Sequence, residues 1–374
     1  MLRLLLGSMF IFWIPFNLAS QQKHIRGAIG QSEEEIGKIR EKWLTKFPVS
    51  EDATELEVIT SFPSKELIEE GVYLWKPLRL THLPNGNIAV NDQKAHHILI
   101  FDENGNFIRK IGRGGQGPGE FGNPYTMTTT SESLLVGDNS NMRIQYFDFE
   151  GNYIRSFKMF KSFLDIATNQ KELIYGASIP AHPKEDLINV MDKDGNILDT
   201  FGKTKFDIGS NWVTPNWVRR ISINNKNELF LAFYYFPLVC RYSEKGKLLA
   251  EYRLNHDVMK EKEKINLSRF KGKPTGIGRM PVLASIGQMT VIRSIKAETN
   301  GFYVLYSYPR AGILEYDMNG QLKKEYYYEY MNKGDPLVSD FIIKENKEGI
   351  VFYLLERSRE YKILILRPRK NFSN

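Results

Sequence analysis

The sequence predicts an all-β fold, a six-bladed β-propeller with four-stranded antiparallel blades, its ring closed by an N-terminal strand and preceded by a short helical arm. Three observations predict it. A polar turn with a central glycine recurs between apolar runs, at Gly105, Gly151, Gly195, Gly246 and Gly320. The first two spacings, 46 and 44 residues, have the length of a four-stranded blade, and 51 and 74 follow where connections lengthen. The last unit is one strand short, while an apolar run at 56–62 belongs to no unit.

Each unit reads as four short strands. In the first, 78–83 is strand a, Pro84-Asn85-Gly86 a tight turn, and 87–91, 98–101 and 107–111 are strands b, c and d. The pattern repeats over 125–157, 163–201, 218–254 and 291–328. The sixth unit offers 341–344, 350–355 and 363–366 as strands a, b and c. An open blade would expose unpaired backbone, so residues 56–62 are expected beside 363–366 as its outer strand. Before the ring, Ile36, Ile39, Trp43, Leu44 and Phe47 form one stripe of a helix over 31–47, with Ser32 as its cap. The chain thus divides into a signal peptide (1–20), an arm (21–54), a propeller (55–368) and a tail (369–374).

Composition agrees with a folded chain: 374 residues, 42% hydrophobic and 25% charged. A single cysteine, Cys240, excludes an intrachain disulfide, a cysteine-based zinc site and a CxxC redox pair. It is expected in a packed strand. The net charge of +7 is spread out, and the alternating run Lys260-Glu261-Lys262-Glu263-Lys264 reads as a solvated loop or helix face. Arg3 followed by the uncharged stretch 4–16 has the form of a secretory signal, too short to span a bilayer comfortably. No cysteine follows it, so a periplasmic or extracellular protein without lipidation at Cys is expected.

Two segments carry a family resemblance. Residues Gly112-Arg113-Gly114-Gly115-Gln116-Gly117-Pro118-Gly119-Glu120-Phe121, then Pro124, look like the linker that opens an NHL repeat. Asp138-Asn139-Ser140-Asn141-Met142-Arg143-Ile144-Gln145-Tyr146-Phe147-Asp148 looks like its second half. The chain therefore resembles NHL-like bacterial six-bladed propellers, most closely over 77–157; units three to six lack the Gly-Pro linker. The glycines of 112–119 precede Pro118, Phe121 and Pro124 and a strand, so a phosphate loop at a helix start is not expected.

Candidate functional residues follow from the ring. Strands a line the channel, and their first residues align as Arg79, Thr126, Asp165, Arg220, Arg293 and Asp340, the last two to within one residue. Such a mouth can hold a charged ligand, or the Arg and Asp side chains can pair with each other and tie the ring. Trp212 and Trp217, and the long connection 255–290, lie on the same face and are expected to wall or cover the mouth. Of the histidines, His96, His97 and His182 fall on one face and His82 on the other, so no three converge, and surface positions are expected. No metal and no cofactor is expected. The function predicted is a monomeric, non-catalytic module that binds a protein, peptide or anionic small molecule, with no nucleic acid and no membrane span after signal cleavage. A metal-dependent lyase, lactonase or hydrolase at the channel is the alternative.

Overall fold

The computed structural model describes residues 33–180, 184–206, 218–270, 290–330, 337–347, 349–357 and 361–370. The residues expected as a signal peptide, the cap Ser32, His182, Trp212 and Trp217 lie outside these. Twenty-four strands and three helices are present in the described chain.

Four units form separate four-stranded antiparallel sheets. The first holds β2–β5 (Pro77–His82, Ile88–Asp92, His97–Phe101, Phe107–Ile111) and the second β6–β9 (Pro124–Thr129, Leu134–Asp138, Arg143–Phe147, Tyr153–Lys158). The third holds β10–β13 (Asp165–Thr168, Ile174–Ala177, Ile188–Met191, Ile197–Phe201) and the fourth β14–β17 (Val218–Ile223, Leu229–Phe233, Leu238–Tyr242, Leu248–Arg253). Sequence and structure agree on most of these bounds to within two residues, because Gly-containing turns end the strands sharply. The remaining strands join in one eight-stranded sheet. It contains β18–β21 (Ser294–Glu298, Gly301–Tyr306, Ala311–Asp317, Leu322–Tyr328), β22–β24 (Leu337–Asn346, Gly349–Arg357, Tyr361–Pro368) and β1 (Thr54–Phe62).

β1 holds this sheet together. It runs antiparallel to β24, with Phe62 opposite Ile363, Ser61 opposite Leu364 and Thr60 opposite Ile365. Its first two residues also pair in parallel with β21, Thr54 with Tyr326 and Glu55 with Tyr327. The first strands touch in the order β2, β6, β10, β14, β18, β22, and β22 returns to β2. The second strands of the first four units are buried along their length, as in Ile88–Asp92 and Leu134–Asp138, because both of their faces are covered by neighbouring sheets. The outer strands are more exposed, and those of the first two units alternate between half-buried and exposed, as in Tyr153–Lys158.

The recurring glycines have a tertiary reason. Gly105 sits at φ +90°, and a Cβ there would lie 2.6 Å from the Phe62 ring of β1. The other turns repeat the arrangement one unit on. Gly151 seats on Ile111, Gly195 on Phe157, Gly246 on Phe201 and Gly320 on Tyr252. Each turn therefore rests on the outer strand of the preceding unit, and β1 supplies that seat for the first unit.

Two long helices lie on the face where the first strands begin. α1 (Glu33–Lys46) packs Trp43 edge-on against Tyr308 at 5.5 Å, and Arg40 donates to the Pro309 carbonyl at 2.8 Å. A short α2 (Lys65–Glu69) follows β1. α3 (Asp257–Phe270) takes up 14 residues of the long connection 255–290. It corrects the reading of the charged run 260–264. Lys262 is fully buried and donates to the Thr290 carbonyl at 2.9 Å, and Asn266, one turn on, donates to the Tyr235 carbonyl at 2.8 Å. One face of that run is therefore fastened to the disc. No described helix is long and apolar enough to cross a membrane.

Candidate functional site

The first strands do more than line the axis, because bulges aim their side chains. Pairing slips by one residue between Pro77 and Arg79, Pro124 and Thr126, Val218 and Arg220, and Val338 and Asp340. A bulge turns the following side chain and sharpens the local twist. Here it directs Arg79, Thr126, Arg220 and Asp340 inward, where Asp165 and Ser294 meet them as the first residues of β10 and β18.

These six residues form a ring with an approximate two-fold repeat. Asp165 accepts from the Thr126 hydroxyl at 3.0 Å and from the Ile221 N–H at 3.1 Å, its neighbours on either side. Asp340 likewise accepts from the Ser294 hydroxyl at 2.6 Å and from the Leu80 N–H at 3.1 Å. Arg79 lies 3.4 Å from Asp165 and donates to the Leu164 carbonyl at 2.8 Å. Arg220 lies 3.8 Å from Asp340 and donates to the Ser339 carbonyl at 2.9 Å. The order Arg–Thr–Asp thus recurs as Arg–Ser–Asp half a ring away. Arg79, Asp165, Arg220 and Asp340 are only 4, 5, 2 and 2% exposed. Burial pushes the Asp165 carboxyl above its usual value, with Arg79 opposing the rise.

Four of the five charged residues expected at the channel are therefore brought together. Arg293 is not. Its Nε donates to the Ser307 hydroxyl at 2.9 Å and its Nη1 to the Tyr234 hydroxyl at 3.3 Å, while Ser294 takes the ring position. The cause is register: in β18, which begins at Ser294, the inward position falls one residue later than the alignment of the units places it.

A cavity of about 220 Å³ starts at this charged layer. It runs past Thr81, Thr128, Thr129, Thr168, Ser222 and Lys296, towards the ends of the first strands. Exposure rises along that path, from the buried charged layer to half-exposed Thr81, Thr129, Thr168 and Lys296. The mouth expected at the strand starts is thus the buried end of the cavity, which leads to the opposite face.

Lys296 was missed by the sequence reading. It lines the cavity and forms no ion pair among the described residues. The signal was present in the pleat: two residues beyond Ser294, a strand residue faces the same side. Arg220 is also incompletely used, since its Nε and Nη1 are buried without a hydrogen-bond acceptor. The lining carries three cations against two carboxylates. Beside the open end, burial pushes His82 down to about 4, with Lys296 and Lys344 adding to the fall, so this imidazole is neutral at pH 7. His82, His96, His97 and His256 are half-buried rather than at the surface as expected. Among the described residues, no three His, Cys, Asp or Glu side chains converge as a metal-binding group. Cys240 is fully buried in β16, and burial pushes its thiol up to about 12.

Two of the known structures that this chain resembles share its architecture. A Bacteroides fragilis protein described as exported matches with a TM-score of 0.57 at 14% identity, over 86% of this chain and 98% of its own. The WD40 repeats of RRP9 match with a TM-score of 0.50 at 12% identity, over 84% of this chain and 99% of that one. A virginiamycin B lyase from Staphylococcus aureus gives 0.46 at 12% identity, over 82% and 83% of the two chains. The first two likenesses are of fold, a β-propeller, and carry no activity across. The family profile described as "Domain of unknown function (DUF4934)" matches residues 79–277, just over half of the sequence, and the chain belongs to that family.

Proposed function

We propose that this protein is an exported, six-bladed, NHL-like propeller that acts as a binding module for a small carboxylate anion held in its central cavity. The six-blade count treats the eight-stranded sheet as two blades joined by the two parallel pairs between β1 and β21. The closed order of first strands and the seating of Gly105 on Phe62 support that count. The NHL likeness is supported by the linker of the second unit. Asp138 accepts from the Gly122 and Asn123 N–H groups, and Arg143 donates to the Gly117 and Glu120 carbonyls. Export rests on the form of residues 1–20 and on the description of the Bacteroides fragilis protein.

One observation carries the ligand class: the lining has one positive charge more than its carboxylates neutralise. Asp165 and Asp340 are already engaged by neighbouring N–H and hydroxyl donors, whereas Lys296 and two N–H groups of Arg220 are not. A desolvated guanidinium with unused donors favours a planar carboxylate. The charge balance suits a monoanion better than a phosphate dianion.

Calorimetric titration of the full chain with acetate, lactate and glucuronate tests the proposal. At least one of these binds at low salt, and Lys296→Met abolishes that binding with no change in melting temperature. Absence of binding by all three, or binding that Lys296→Met leaves intact, overturns it.

A further inference from the structure

We infer that the anion is a small hydroxylated carboxylic acid, such as a sugar acid, bound with its carboxylate towards β14 and β18 and its hydroxyls towards β2 and β6. This rests on the proposed anion site and adds the rest of the ligand to it. The cavity is chemically two-sided. Arg220 of β14 and Lys296 of β18 come from adjacent first strands and form a cationic wall. Half a ring away, β2 and β6 contribute Arg79 at the buried layer, held beside Asp165, and Thr81, Thr128 and Thr129 beyond it.

The asymmetry appears one pleat beyond the charged ring. Counting two residues from each ring position gives Thr81, Thr128, Ala167, Ser222, Lys296 and Ile342; the first five line the cavity, and Ile342 packs in the core with Leu80 and Tyr353. In the ring itself, opposite positions match: Arg with Arg, Thr with Ser, Asp with Asp. At these positions Thr81 and Ser222 still match and Ala167 and Ile342 are both apolar, but Thr128 stands opposite Lys296. That substitution converts a two-fold ring into a site with a cationic end and a hydroxyl end.

The hydroxyl end has hydrogen-bonding capacity to spare. The Thr81 and Thr129 hydroxyls form no hydrogen bond among the described residues. Thr128 and Thr168 share one contact of 3.3 Å between their hydroxyls. A hydroxyl both donates and accepts, so a group of them complements another set of hydroxyls better than it complements an acyl chain or a second anion. Size agrees: about 220 Å³ lies below the roughly 300–1,000 Å³ of pockets for drug-sized ligands and suits one sugar-sized unit.

The test is calorimetry on the full chain with glucuronate, with acetate as the anion alone and glucose as the hydroxyls alone. Glucuronate is expected to bind at least tenfold more tightly than acetate, and glucose not to bind detectably. Thr128→Val, which keeps the shape of the side chain, is expected to weaken glucuronate about fivefold and leave acetate unchanged, and Lys296→Met to remove both. Acetate binding as tightly as glucuronate, or a Thr128→Val variant that weakens neither, overturns the hydroxy-acid inference and leaves the anion site standing. Glucose binding as tightly as glucuronate overturns both.

Discussion

Replacing Asp340 with alanine probes how the ring is held. Its carboxylate bridges both neighbours of β22, accepting from Ser294 of β18 and from the Leu80 N–H of β2, and it lies 3.8 Å from Arg220. Removal leaves a buried N–H and a buried hydroxyl without an acceptor, each costing about 1–3 kcal/mol. It also leaves the Arg220 guanidinium, 2% exposed, without its counter-charge, which in buried pairs costs about 3–5 kcal/mol. These costs describe one lost carboxylate and do not add, so a net destabilisation of about 3–5 kcal/mol is expected. An exposed pair such as Lys65–Glu69 contributes at most about 0.5 kcal/mol by comparison. Equilibrium urea unfolding, with wild-type and variant slopes compared, measures the difference. The approximate two-fold repeat adds a second demand, that Asp165→Ala cost nearly the same. A loss below about 1 kcal/mol at unchanged slope would refute the clasp argument. A large loss for one aspartate alone would refute the equivalence of the two halves.

Three further outcomes are expected. Cys240, buried and with its thiol pushed up to about 12, should resist a thiol reagent at pH 8 in the native protein and react on unfolding; rapid native labelling contradicts its placement. The Asn196 side chain and turn N–H groups hold the Asp192 carboxyl below its usual value of 3.8. The charge therefore stabilises the fold above about pH 4 and ceases to do so as pH falls through the lower folded value. Asp192→Asn should melt below wild type at pH 7, with the gap closing as pH falls below the usual value of 3.8; a gap that widens on acidification reverses the sign. Deleting residues 1–62 removes β1, exposing the edge of β24 and the Gly105 seat, and should give aggregates in size-exclusion chromatography. A monomer melting like the parent defeats the closure.

Local chemistry accounts for what was legible in the chain. Gly105, Gly151, Gly195, Gly246 and Gly320 mark turns because they punctuate alternating runs, and this alone gives the repeat and most strand bounds. The missing strand of the last unit pointed to residues 56–62 because backbone pairing has to be completed somewhere. Sequence also brought out Arg79, Asp165, Arg220 and Asp340, since strand starts at equal positions in a ring converge.

What it left undecided depends on contacts between units. Why the turns need glycine is answered by Phe62, Ile111, Phe157, Phe201 and Tyr252, each from the preceding outer strand. The bulges before Arg79 and Arg220 shift side chains by one position, and no periodicity announces them. A single-residue difference in register placed Ser294 in the ring in place of Arg293, because a strand's two faces alternate at every residue. The direction in which the cavity runs follows from burial of the charged layer, and burial is a property of the assembled ring. Lys296 emerged as part of the site for the same reason: sequence supplies a lysine at that spacing, but only the closed ring sets it across from Thr128.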